Sequence, residues 1–331
     1  RLCNSEPAVM TTGTLSLQLI LDLVCNNNCT ICGASWPYQP HLNTEQALDR
    51  LRRGIALGIK EVVFSGGEVT LRGDIVALVR AAKHLGYGTV VVLTNGRRLS
   101  NPSLTYALID NGVTRFGLSL YGHTPQIHEQ VTRIRGSFAQ TLEGIATIQS
   151  YPHRQVPISV NCVISPTNFR YVADIVELLV QVDVRMVQLT YVVPVGRAKG
   201  IYYKPDMPSM SQTLQFVRKA IDRFLSHYEA IARSSISVAF YPFCVLRGLE
   251  PFSSAIGQTL TYFASEAGEL VPITLEISRH QLKVKRNKCS LCNFSSLCDG
   301  VWQEYVKAKG WSEFVPITEY CPEDVIPASL D

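Results

Sequence analysis

Between Leu15 and about Phe240, six short β-rich runs alternate with helical patterns, and no other feature restricts the fold as much. The runs are LSLQLILDL from Leu15, EVVFSGG from Glu61, TVVVLTNG from Thr89, RFGLSLYG from Arg115, PISVNCVI from Pro157 and MVQLTYVV from Met186. Helical patterns fall near Thr44–Leu57, Asp74–His84, Ser103–Asn111, Phe138–Ser150, Tyr171–Val182 and about Ser211–Ala232. Strands separated by helices of this length pair in parallel through βαβ units. Asn43-Thr44 and Asn101-Pro102-Ser103 supply helix starts. Six units predict an α/β fold, a partial (β/α)6 TIM-like barrel rather than a complete eight-fold one. The expected barrel covers residues 15–240, behind an N-terminal segment, residues 1–14. Beyond Tyr241 the alternation fails: LTYFAS and LVPITLEI read as short strands, KVKRNK is basic, and clustered cysteines follow. Residues 241–331 therefore read as a small appended domain, held by its metal rather than by a large core.

Composition narrows the function. With 46% apolar residues and a net charge of +4, the chain is no disordered polymer. No run approaches the ~18 apolar residues of a membrane span, and no basic stretch leads into an apolar signal region. A soluble, cytoplasmic protein is expected. A balance of 31 basic against 27 acidic residues gives no case for nucleic acid.

The cysteines say more. Six of the ten fall in two short clusters, Cys25 to Cys32 and Cys289 to Cys298. Neighbours this close share a metal or cluster more readily than they form structural disulfides. Cys25, Cys29 and Cys32 have the spacing C-x3-C-x2-C and follow the first strand, at the barrel end where such folds place their chemistry. Three thiolates suit a four-iron cluster with one iron left open to a ligand. The alternative is a structural zinc with His41 as fourth ligand. The second strand ends in Ser65-Gly66-Gly67-Glu68 and the third in Thr94-Asn95-Gly96.

Together, the cysteine triad after strand one and Gly-Gly-Glu after strand two resemble the radical S-adenosylmethionine (SAM) superfamily, over about Leu15 to Arg197. The resemblance implies a [4Fe-4S] cluster on Cys25, Cys29 and Cys32, whose open iron takes the amino and carboxylate groups of SAM. Gly66 and Gly67, lacking Cβ, let backbone approach a ligand. Their carbonyls and the Glu68 carboxylate are the expected acceptors for the SAM amino group. Ser119 and Asn161 match family positions that contact ribose or carboxylate, and Arg133 or Arg135 could pair with the carboxylate. Two departures, Val69 for a common proline and Ile31 for a common aromatic, alter packing rather than ligation.

Near the C-terminus, Cys289, Cys292 and Cys298 have the spacing C-x2-C-x5-C and look like the auxiliary-cluster extension called SPASM or twitch. A full SPASM pattern has a further cysteine where this chain has Trp302, so the twitch form with one auxiliary [4Fe-4S] cluster fits better. Cys244 at the domain entry is the favoured fourth ligand, with Cys321 as the alternative and zinc as the structural option. Cys162 reads as a core residue, Cys3 is isolated, and His123 and His128 are expected at the site rim.

The implied activity is reductive cleavage of SAM to a 5′-deoxyadenosyl radical, which takes a hydrogen atom from the substrate. A low-potential donor of flavodoxin or ferredoxin type must deliver the electron, since iron–sulfur potentials reach about −700 mV. The favoured substrate is a ribosomally made peptide, with a separate leader-binding partner protein. The alternatives are oxidation, cyclisation or rearrangement of a small molecule, and, from another class, a non-catalytic iron–sulfur electron carrier.

Overall fold

A computed structural model describes residues 15–33, 41–228, 235–255, 260–264, 270–273 and 282–326. Cys3 and the expected N-terminal segment lie outside the described residues. Seven strands stand side by side in chain order: β1 (Leu15–Ile20), β2 (Glu61–Ser65), β3 (Thr89–Thr94), β4 (Arg115–Ser119), β5 (Ile158–Ile164), β6 (Met186–Tyr191) and β7 (Ile236–Ala239). Every neighbouring pair among them is parallel. The sheet curls into an open half-barrel, as the alternation predicts.

Six of the connecting helices are those read from the sequence: α1 (Thr44–Ala56), α2 (Ile75–Leu85), α3 (Pro102–Asp110), α5 (Ser137–Gln149), α6 (Val172–Gln181) and α8 (Met210–His227). Asn43 and Gln46 form a reciprocal cap on α1, and the Asn101 side chain accepts from Ser103 N ahead of Pro102 in α3. Short elements carried too little pattern to be foreseen: β7, α4 (Pro125–Thr132), α7 (Gly196–Tyr202) and α9 (Gln303–Lys309).

The two late strands, β8 (Leu260–Ala264) and β9 (Leu270–Ile273), join the barrel sheet. β8 pairs parallel with β1, and β9 antiparallel with β8, so the sheet runs β7-β6-β5-β4-β3-β2-β1-β8-β9. A separate two-stranded ribbon, β10 (Lys283–Val284) with β11 (Val301–Trp302), holds the C-terminal cysteines. A small core of Phe243, Phe294 and Ile317 lies beneath them.

Strand side chains alternate between faces. Beneath the helices lie Leu17, Leu19, Val62, Phe64, Val90, Val92, Phe116, Leu118, Val160, Cys162, Val187 and Leu189, all nearly or wholly buried. Cys162 is thus a core residue, as expected. Between these positions, the concave face carries mostly uncharged groups, apart from the Arg115–Glu61 pair. One row runs Ser119–Asn161–Gln188–Ser237 across β4 to β7. No helix among the described residues is long and apolar enough to cross a membrane.

Candidate active site

The first cysteine loop is built on a backbone crossing. Beyond β1 the chain keeps pairing with the end of β2: Leu21 N donates to Ser65 O (2.9 Å), Gly67 N to Asp22 O (2.8 Å) and Glu68 N to Val24 O (2.7 Å). A Cβ at Gly66 would stand 2.3 Å from the Asp22 carbonyl oxygen, and one at Gly67 2.3 Å from that of Val24. Gly66 also has φ of 145°, which other residues rarely adopt. The two glycines therefore let backbone lie on backbone, which fixes where the cysteine loop departs. The Asp22 carboxylate caps Val24 N (3.0 Å) and pairs with Arg72 (3.4 Å). Arg72 in turn holds Asp74 and the Leu42 carbonyl.

Cys25 is exposed, and Cys29 and Cys32 are half-buried. The loop is anchored behind by Asn28 N on Thr132 O (2.9 Å), Thr30 N on Val131 O (2.8 Å), and a hydroxyl contact between Thr30 and Tyr202 (2.6 Å). Burial, with repulsion from Cys25 and Cys32, pushes the Cys29 thiol up to about 12. Burial likewise raises Cys25. Three such thiolates are costly to hold together unless a cationic group neutralises them, so this donor set suits an iron–sulfur cage. No three His, Cys, Asp or Glu side chains among the described residues close in to the geometry of a single-ion site. His41 is exposed.

Glu68 is 1% exposed, and four donors reach its carboxylate. Thr70 N (3.0 Å), Thr70 Oγ1 (2.6 Å) and Thr94 Oγ1 (2.7 Å) reach Oε1, and Asn95 N (2.6 Å) reaches Oε2. Three of these bonds fall on Oε1 and one on Oε2, so Oε2 keeps an acceptor site. The position of Glu68 is that of a stitch between the ends of β2 and β3. Asn95 passes the connection on, donating from Nδ2 to Asn26 Oδ1 (2.7 Å) inside the cysteine loop.

Ser119 and Asn161 are register partners on the concave face. Tyr121, two residues beyond Ser119, is buried, and burial raises its hydroxyl well above the usual range. Asn161 Oδ1 accepts from Thr190 Oγ1 (2.6 Å). Arg133 and Arg135 are exposed. Sequence reasoning missed Arg97, Tyr121, Arg197 and Tyr202 as neighbours of the loop; they sit outside any motif and meet it only through the fold.

Cys244, Cys289, Cys292 and Cys298 line one pocket, walled by Phe243 and Phe314. Burial, then the neighbouring Cys298, Cys292 and Cys289, pushes the Cys244 thiol up to about 12. Amides already point at the sulfurs: Gly300 N donates to Cys298 Sγ (3.4 Å) and Ile317 N to Cys292 Sγ (3.4 Å). Such bonds stabilise cluster-bound thiolates. Cys321 is disulfide-bonded and does not line this pocket. Trp302 is buried in the core beneath Lys283 Nζ, which lies 5.1 Å from its ring.

His128, expected at the rim, is instead buried, with ring contacts to Tyr121 (5.6 Å) and Phe138 (5.8 Å). Its Nδ1 accepts from Tyr121 N (3.2 Å). Burial, aided by the Arg97 charge, lowers its pKa from 6.5 to about 4. As pH falls below 6.5 the unfolded chain takes this proton before the folded one, so stability present above 6.5 is lost down to about 4. Between pH 7.5 and pH 5 this loss amounts to about 2 kcal/mol. Urea unfolding at both pH values should show wild type losing that much more than His128→Phe; equal losses would refute the assignment.

The family model described as Radical SAM superfamily matches residues 21–179. A protein of Sulfurisphaera tokodaii named "Probable GTP 3′,8-cyclase" is 28% identical over 215 residues, 64% of this chain and 67% of that protein. A Saccharolobus islandicus protein of the same name is 31% identical over 192 residues, 57% of this chain and 61% of its own length. The match thus spans only about three fifths to two thirds of these relatives. Among solved structures, Streptococcus suis SuiB bound to precursor peptide SuiA superposes with a TM-score of 0.64 at 14% identity, covering 95% of this chain and 76% of that one. Native anSMEcpe with bound AdoMet and Kp18Cys peptide gives 0.64 at 19%, covering 91% and 96%. At these identities the two structures speak for the fold alone.

Proposed function

The chain belongs to the radical SAM superfamily, and on that premise we propose that it is an enzyme that cleaves SAM reductively and takes a hydrogen atom from a peptide substrate. The observation that carries this reading is the crossing that sets Cys25, Cys29 and Cys32 beside Gly66-Gly67 at the C-terminal end of β1 and β2. Cys25, Cys29 and Cys32 would hold a [4Fe-4S] cluster, which would supply the one electron that reductive cleavage of SAM to methionine and a 5′-deoxyadenosyl radical requires. The chain's own residues bind and orient. The backbone at Gly66 and Gly67 receives the SAM amino group together with the Glu68 carboxylate, which four donors fix in place between β2 and β3. Ser119 and Asn161 hold the ribose or carboxylate.

Charge on the concave face supports a peptide over a nucleoside triphosphate. On β1 to β7 the one cation facing inward, Arg115, is paired with Glu61 at 3.6 Å. The other polar groups are neutral: Gln18, Ser65, Ser159, Gln188, Thr190 and Ser237. A triphosphate needs several cations, whereas amides need neutral donors and acceptors. The names of the partial relatives favour the second reading, a small-molecule cyclisation.

The four thiols around the second pocket, Cys244 among them, would hold a twitch-type auxiliary [4Fe-4S] cluster; four protein ligands would suit it to electron relay rather than substrate ligation. A flavodoxin- or ferredoxin-type donor supplies the first electron, and a separate partner protein recognises the peptide leader.

Anaerobic reconstitution followed by SAM and dithionite should yield 5′-deoxyadenosine; none after full iron loading overturns the enzymatic reading and leaves the electron carrier. Added GTP should remain unconsumed, and its conversion would replace the peptide reading by the small-molecule one. Cys292→Ala should lower bound iron from about eight to about four per chain while sparing SAM cleavage. Full iron retention in that variant would remove the auxiliary cluster.

A further inference from the structure

Arg197, in the first turn of α7, holds the cysteine loop at three points. Its backbone N–H donates to Cys32 O (3.0 Å), and its Nη1 donates to Asn28 Oδ1 and to Cys29 O (3.4 Å). Arg97, just after β3, holds the same loop through Asn26 O (2.5 Å) and Asn27 Oδ1 (3.0 Å), braced by Nε on Gln140 (2.7 Å). With Asn95 on Asn26, each of the three asparagines between Cys25 and Cys29 is gripped by a different residue. The helix that carries Arg197 also places Tyr202 on Thr30 and pairs Lys199 with Glu304 of α9 (3.3 Å).

We propose that Arg197 is a positioning residue for the first cluster and that its charge sets how readily that cluster accepts an electron. Reduction adds negative charge to a cage already bearing three thiolates. A guanidinium fixed on the carbonyl of one ligand favours the more negative state, and the attraction weakens only in inverse proportion to distance. Arg197 meets the carbonyls of two of the three ligands, Cys29 and Cys32. Lysine would keep the charge but lose the two-point fork, which separates charge from grip.

This inference rests on the cluster of the proposed function. The test is a potentiometric titration of reconstituted wild type, Arg197→Gln and Arg197→Lys, read on the EPR signal that added SAM alters, with hydrogen exchange of residues 25–32 alongside. Arg197→Gln should shift the midpoint to more negative potential. Arg197→Lys should keep the wild-type midpoint while its loop exchanges faster. An unshifted Gln variant, or a Lys variant shifted as far as Gln, overturns the proposal. Should the Gln variant bind no iron, the Lys midpoint decides by the same criterion. Failure of wild type itself to bind iron would sink the proposed function instead.

Discussion

Cys29→Ala is expected to yield no detectable 5′-deoxyadenosine, whatever the SAM or reductant supplied. Cys29 lies between the other two ligands and is the most constrained of the three by its surroundings. Its carbonyl accepts from Cys32 N (3.3 Å), and the next residue is pinned to Val131 through Thr30. Among the described residues, the second cysteine set stands around a different pocket and Cys162 is buried in the core, so neither takes its place. Iron should fall by about half, leaving the auxiliary cluster in place. Cys162→Ala is the matched control: its thiol is wholly buried in the core, so truncation should cost stability and leave iron and SAM cleavage intact. Deoxyadenosine from the Cys29 variant at a tenth of the wild-type rate or more would mean that the triad has been misread.

Glu68→Ala should be the most destabilising single change at the site, by about 3–5 kcal/mol. The substitution strips the acceptor from two backbone N–H groups and two hydroxyls in a buried setting. Each buried donor left without a partner costs about 1–3 kcal/mol, and the hydroxyls can turn toward other acceptors while the backbone groups cannot. Glu68→Gln should cost about 1–3 kcal/mol, because its amide nitrogen would face the Asn95 N–H or the Thr70 donors. Because Asn95 also holds Asn26, loosened β2 and β3 ends should speed hydrogen exchange in the cysteine loop. Denaturant unfolding ranks the three proteins, and an Ala variant within 1 kcal/mol of wild type would remove the stitching role. The glycine pair predicts a related failure: any side chain at Gly67 meets the Val24 carbonyl rather than a flexible neighbour.

The barrel was legible because its signals are local. Alternation along each strand and apolar spacing along each helix depend on neighbours two to four residues away, and the caps at Asn43 and Asn101 are spelled out in three or four letters. The cysteine triads were legible for the same reason, since ligand spacing is fixed along the chain. β7 and α7 were not, being four and seven residues long, too short for a period to show.

By itself the sequence determined the order of strands and helices, the two cysteine sets and the Gly-Gly-Glu turn. Only the tertiary structure decided what those residues do to one another. It made Glu68 a stitch across the ends of two strands, and buried His128 behind Tyr121. It carried β8 back to β1 across more than two hundred residues, and brought Arg97 and Arg197 together on the loop from Asn26 to Cys32. Contacts of that kind depend on which strand ends the curl of the sheet makes adjacent. That adjacency arises from packing over the whole half-barrel, and no short stretch of sequence encodes it.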